Sequence, residues 1–259
     1  MSQSSMMMAE LTWVAYAKRV AEGATVIVPV GSTEQHGPHL PLGSDALLAG
    51  EMAKRIARRV GAIVAPTIPY GYKSQPKSGG GNHFIGTTSF DGDTLVCAIR
   101  DVIRELARHG VKNIVVLDGH MENAMFLTEG IDLALRDIKA WGLEGVRVLK
   151  MIYCEVIKQE TLDLIFPNGV PGLALEHAAN LETSMMLYLF PHLVDRDAIP
   201  KDPPHDFPPY DIYPTPEGHV RATGVLSTAA AATEEFGKLL TEEFEELVSS
   251  SITKAFAAG

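Results

Sequence analysis

The stretch ATVIVPVGSTEQHG (24–37) decides how this chain is read. Its first half, 24–30, is a short apolar run rich in β-branched residues, the pattern of a strand buried on both faces. Its second half turns abruptly polar, with Glu34 and His36 two residues apart. A second stretch, KNIVVLDGHMEN (112–123), repeats the design: an apolar run at 112–117, then His120 and Glu122. Residues 62–66 and 146–153 read as further strands. Helical spacing fills the gaps. Leu48, Met52 and Ile56 line one face over 45–60, and Leu95, Ile99, Val102 and Leu106 do so over 91–109, before Gly110. Leu127, Ile131, Leu135 and Ile138 mark the next helix. Strands alternating with helices imply right-handed crossovers and a largely parallel sheet covered on both faces.

The final third has a different texture. Residues 181–190 read as an apolar helix. The segment 191–220 holds half of the chain's sixteen prolines and cannot be regular helix or central strand. Its Phe207, Tyr210, Ile212 and Tyr213 are expected to pack it as an ordered arm. A last helix at 233–249 is expected to bury Phe236, Leu240, Phe244 and Leu247, with Glu242, Glu243, Glu245 and Glu246 as a solvated face. No repeat or boundary interrupts the chain, so a single domain over 1–259 is expected.

Composition narrows the function. At 46% hydrophobic residues the chain can bury a substantial core. Its 22 basic and 32 acidic side chains give a formal charge of −10, which disfavours nucleic-acid partners but not a small neutral or cationic substrate. Cys97 and Cys154 stand in no metal-binding or redox spacing and are expected to be buried free thiols. The start, MSQSSMMMAEL, lacks the pattern of a signal peptide, and no apolar run reaches the roughly 18–20 residues needed to cross a bilayer. A soluble, cytoplasmic protein is the expectation.

The chemistry is expected at the carboxyl ends of the strands, where open parallel sheets collect ligands. In an extended segment residues i and i+2 point to the same side, so Glu34/His36 and His120/Glu122 can each present one oxygen and one nitrogen to a common point. Asp45 adds a fifth ligand, and a carboxylate can bridge two cations. Such a mixed set suits zinc or manganese rather than calcium. Glu176 and His177, with Glu182 nearby, either cap a helix or supply a proton shuttle beside the metals. Gly79, Gly80 and Gly81 form either a plain turn or a place where the backbone passes close to a ligand.

Taken together, GSTEQHG (31–37) with Asp45, GYKSQPKSGGGNHFIGTTS (71–89), RELARHG (104–110), DGHMENAMF (118–126), EGIDLALRD (129–137), EHAANLETS (176–184) and FPPYDIYP (207–214) resemble the creatininase family over nearly the whole chain. The resemblance implies a three-layer α/β/α sandwich with a mostly parallel central sheet. It also implies a homohexamer and two divalent ions per subunit, zinc or manganese. On matching positions Glu34, His36, Asp45, His120 and Glu122 become metal ligands, with Asp45 bridging and Glu122 also counted among the catalytic groups. His177 becomes the proton shuttle, and Ser78, Met121, Leu173, Glu176 and His177 contact substrate. The implied reaction opens the lactam of creatinine to creatine through an activated water. Where creatininase carries aromatic residues this chain has Met121, Cys154 and Leu173, which leaves a formamide, another amide or a cyclic ketone as alternative substrates. A non-catalytic binding protein is the reading from another class.

Overall fold

The computed structural model describes residues 5–257; residues 1–4 of the N-terminal stretch and the last two lie outside it. Four strands form, Val26–Val30 (β1), Ile63–Val64 (β2), Asn113–Asp118 (β3) and Arg147–Ile152 (β4). All pair in parallel, in the order β2-β1-β3-β4. The helices are Trp13–Ala21 (α1), Ser44–Val60 (α2), Gly92–Arg108 (α3), Ala124–Ala140 (α4), Gln159–Ile165 (α5), Asn180–Leu189 (α6) and Glu234–Ala257 (α7).

Strand alternation sorts the core into two layers. Ile27, Val115 and Leu117 pack with Leu48, Met52 and Ile56 of α2, Met186 of α6, and Leu240 and Phe244 of α7. Val26, Val28, Ile114 and Val116 pack on the other side with Leu95, Ile99 and Ile103 of α3 and Leu127 and Ala134 of α4. The expected three-layer α/β/α architecture is therefore present. Chain order reverses between β1 and β3, so the crevice beyond their carboxyl ends is the topological switch point. Both polar stretches, after β1 and after β3, emerge there.

Several expectations need correction. Helices α1 and α5 stand outside the segments expected to be helical, and α7 runs on to Ala257. Val102, Ile131, Leu135, Phe236 and Leu247 flank their stripes and are only partly buried. Cys97 is exposed, because its position on α3 faces away from the sheet; Cys154 is partly buried. In the proline-rich segment Phe207 stacks on His205, but Tyr210, Ile212 and Tyr213 are exposed, since the segment lies over a loop rather than over core. No helix among the described residues is long and apolar enough to cross a membrane.

The acidic run of α7 is not a uniformly solvated face. Glu245 pairs with Arg55 and Arg59 of α2. Glu243 is buried and accepts from Lys158 N at 2.7 Å and Thr161 Oγ1 at 2.6 Å, which caps α5 from a distant helix. This tie anchors the segment that returns from β4 to the crevice. Glu243→Ala leaves one buried and one partly buried donor unpartnered and is expected to cost about 2–3 kcal/mol. In thermal denaturation that is a fall of about 5–10 °C in Tm; an unchanged Tm would return Glu243 to a surface role.

Candidate metal centre

The loop after β1 and the first turn of α2 bring Glu34, His36 and Asp45 together, and the loop after β3 adds His120; all four side chains are buried. Hydrogen-bond inventory then constrains the imidazoles. A neutral imidazole has one N–H and one bare nitrogen. His120 Nε2 is 2.9 Å from the carbonyl of Tyr72 and donates to it. The nitrogen left over, Nδ1, faces Glu34 Oε1 at 3.1 Å, Asp45 Oδ2 at 3.2 Å and Glu122 Oε2 at 3.5 Å. His36 repeats the arrangement: Nδ1 donates to the carbonyl of Glu34 at 3.1 Å, and Nε2 faces Asp45 Oδ1 at 3.0 Å and Glu182 Oε2 at 3.8 Å.

Bare nitrogens aimed at carboxylates repel unless a positive charge lies between or upon them. Burial alone would lower the His36 pKa, yet Asp45, Glu182 and Glu34 push it up to about 10. His120 is likewise driven well above its ordinary value by Glu34, Asp45 and Glu122, against the cost of burial. Burial would raise Asp45, but His36 and His120 hold it well below the usual carboxylate range. Glu34 Oε2 and Asp45 Oδ2 have no hydrogen-bond donor although both are buried. A set of imidazoles braced from behind by carbonyls, with unsatisfied carboxylate oxygens in front, is what a divalent cation requires. Three donor groups stand within reach of one ion each: Glu34/His36/His177, and the pair Glu34/Asp45/His120 and His36/Asp45/Glu182. Asp45 belongs to both of that pair, one oxygen facing each imidazole.

The other expected residues converge on the same place. Ser78 Oγ donates to Glu122 Oε1 at 2.6 Å, which leaves Oε2 turned to His120. Gly79 shows why the glycine run is there: a Cβ on it would stand 2.3 Å from Ser74 Oγ and 2.9 Å from Glu34 Oε2. Close passage of the backbone, rather than a plain turn, is the reason for this residue type. Glu176 and His177 precede α6, and both are buried. Ala178 adopts a left-handed φ of 53°, held by its N–H to Glu182 Oε2 at 2.6 Å, and this turns His177 toward the centre. The His177 ring lies 4.5 Å from that of His36, and its Nδ1 is 3.6 Å from Glu34 Oε1. Burial and the neighbouring His36 lower its pKa to about 3. Glu176 accepts from Leu181 N with one oxygen and leaves the other unpartnered; burial raises it to about 7.

Ser78, Glu122, Glu176 and His177 line one cavity with Glu34, Asp45, His120 and Glu182, and it is open to solvent. Met121, Cys154 and Leu173 line it too, with Ile152 and Leu181; Met121 and Leu173 are 42% and 48% exposed. Six carboxylates, Glu34, Asp45, Glu122, Glu155, Glu176 and Glu182, border the cavity without a lysine or arginine. Glu182 was flagged in the sequence but not placed among the ligands, because six residues separate it from Glu176 and the left-handed turn at Ala178 leaves no trace in residue spacing. Gln35, between two candidate ligands, carried no signal at all.

Known proteins share this sequence and fold. The family model described as creatinine amidohydrolase matches residues 9–252. A creatinine amidohydrolase of Pseudomonas putida is 46% identical over 254 residues, spanning 97% of this chain and 98% of that protein. The structure of a manganese form of creatininase superposes with a TM-score of 0.96 at 45% identity, over 98% of this chain and 99% of that one. A Zn-Zn type structure of a creatininase mutant matches equally well, with a TM-score of 0.96 at 44% identity and the same coverage.

Proposed function

This chain belongs to the creatininase family, and on that premise we propose that it is a two-metal hydrolase opening a cyclic amide, with creatinine and creatine as the pair it interconverts. The observation that carries the reading is the pair of ring nitrogens, His36 Nε2 and His120 Nδ1, each aimed at carboxylates while the other nitrogen of its ring meets a backbone carbonyl. Glu34, Asp45, His120 and Glu122 would hold one ion, and His36, Asp45 and Glu182 the other. Zinc or manganese suits both sets. When bound, such ions bring the pKa of a water toward neutrality and polarise the substrate carbonyl.

The chain's own residues supply the rest. His177, neutral near pH 7, takes the proton released as water oxygen bonds to the lactam carbon. It returns that proton to the ring nitrogen as the C–N bond breaks. Ser78 keeps Glu122 oriented, and the free oxygen of Glu176 accepts a substrate N–H. The exposed apolar side chains Tyr210, Ile212, Tyr213 and Trp13 support the hexameric assembly that the family resemblance implies.

A second reading keeps the centre and changes the substrate. The Met121, Cys154 and Leu173 wall offers aliphatic contact where a flat ring would gain from an aromatic face, worth about 0.5–1.5 kcal/mol per contact. Turnover of creatinine, a formamide and a cyclic ketone by the wild type and Leu173→Trp separates the two readings. The creatinine reading expects the variant to lower KM for creatinine by about 2–10-fold, with kcat little changed. Turnover of the formamide or the ketone alone, by both proteins, would establish the second reading in its place.

A further inference from the structure

We propose that Gln35 is a positioning residue that holds His177 in one working tautomer, an inference that rests on the proton-shuttle role given to His177 above. The Gln35 amide is fixed by hydrogen bonds at both its nitrogen and its oxygen. Its NH2 group donates to the carbonyls of Gly79 at 2.9 Å and Gly224 at 2.8 Å, and its Oε1 accepts from Gly37 N at 2.8 Å. The amide cannot be turned over, because its oxygen would then face two carbonyl oxygens. Both of its hydrogens are therefore committed.

The same nitrogen stands 2.9 Å from His177 Nε2 and has no hydrogen left to offer it. His177 Nε2 is also 2.8 Å from the backbone carbonyl of Gln35. The hydrogen in that contact must come from the imidazole, so Nε2 is protonated and Nδ1 is bare. Nδ1 is the nitrogen on the side of Glu34 and the metal centre. The tautomer that can accept a proton at the reacting end is thus selected from behind, by a residue that touches no substrate.

The seat is built for an amide. A Cβ on Gly224 would stand 2.0 Å from Gln35 Oε1, and one on Gly80 2.6 Å from its Nε2. Removing the side chain leaves a polar hole lined by two carbonyls and His177 Nε2, which suits a water molecule. Unlike the amide, a water can turn a hydrogen toward Nε2 and so support the opposite tautomer.

The test is 15N NMR of histidine-labelled, zinc-loaded full-length protein, with the His177 signals assigned by their loss in His177→Gln. The wild type should show the Nε2–H tautomer alone. Gln35→Ala should show mixed tautomers, both ions retained, KM within about threefold and kcat for creatinine lowered about 10²-fold. Gln35→Met fills the hole without admitting water; it should keep the Nε2–H tautomer and most of kcat, and it decides the matter if the alanine variant does not fold. An Nδ1–H tautomer in the wild type, or unchanged His177 signals and kcat in Gln35→Ala, would overturn the inference. Absence of creatinine turnover in the wild type counts against the proposed function instead, and the tautomer measurement stands without it.

Discussion

Asp45→Ala is expected to lose both ions and turnover together. Asp45 is the residue common to the groups Glu34/Asp45/His120 and His36/Asp45/Glu182, with Oδ1 at 3.0 Å from His36 Nε2 and Oδ2 at 3.2 Å from His120 Nδ1. Without it each site keeps one imidazole and its remaining carboxylates, and the two sites no longer share a charge. Lewis-acid stabilisation is worth several kcal/mol, so turnover should fall by about 10³-fold or more. Elemental analysis of the purified variant beside a turnover assay checks both halves. Retention of two ions per subunit would sink the bridging role, even with activity gone.

His177→Ala is expected to separate binding of metal from catalysis. Its bare nitrogen faces Glu34 across 3.6 Å, and neither of the donor groups that contain Asp45 includes it. The variant should keep both ions while kcat falls about 10²–10⁴-fold, the contribution of a positioned acid or base. KM should move little. Loss of one ion would make His177 a ligand, in line with its place beside Glu34 and His36. Unchanged kcat would reduce it to a residue at the start of α6.

Much of this was legible in the sequence, for physical reasons. Strands buried on both faces read as apolar runs, and β1 and β3 were therefore found close to their observed bounds. A parallel sheet places function at strand ends, so the polar turns after those strands identified Glu34, His36, Asp45, His120 and Glu122 as a group. What escaped depends on tertiary contact. Glu243 looks like its solvated neighbours until α5 presents Lys158 N and Thr161 to it. Glu182 joins His36 only because Ala178 takes a left-handed turn. Helix α5 is too short to show a periodicity, and Gln35 reveals its role only through the carbonyls of Gly79 and Gly224.

The central claim is that two ions in the cluster around Asp45 open a cyclic amide. It is tested most directly by stripping the purified protein with a chelator and titrating zinc or manganese back, while following conversion of creatinine to creatine. The predicted result is no turnover without metal and full recovery at two ions per subunit. Turnover that survives complete removal of metal, or its absence with both sites filled, would contradict the account.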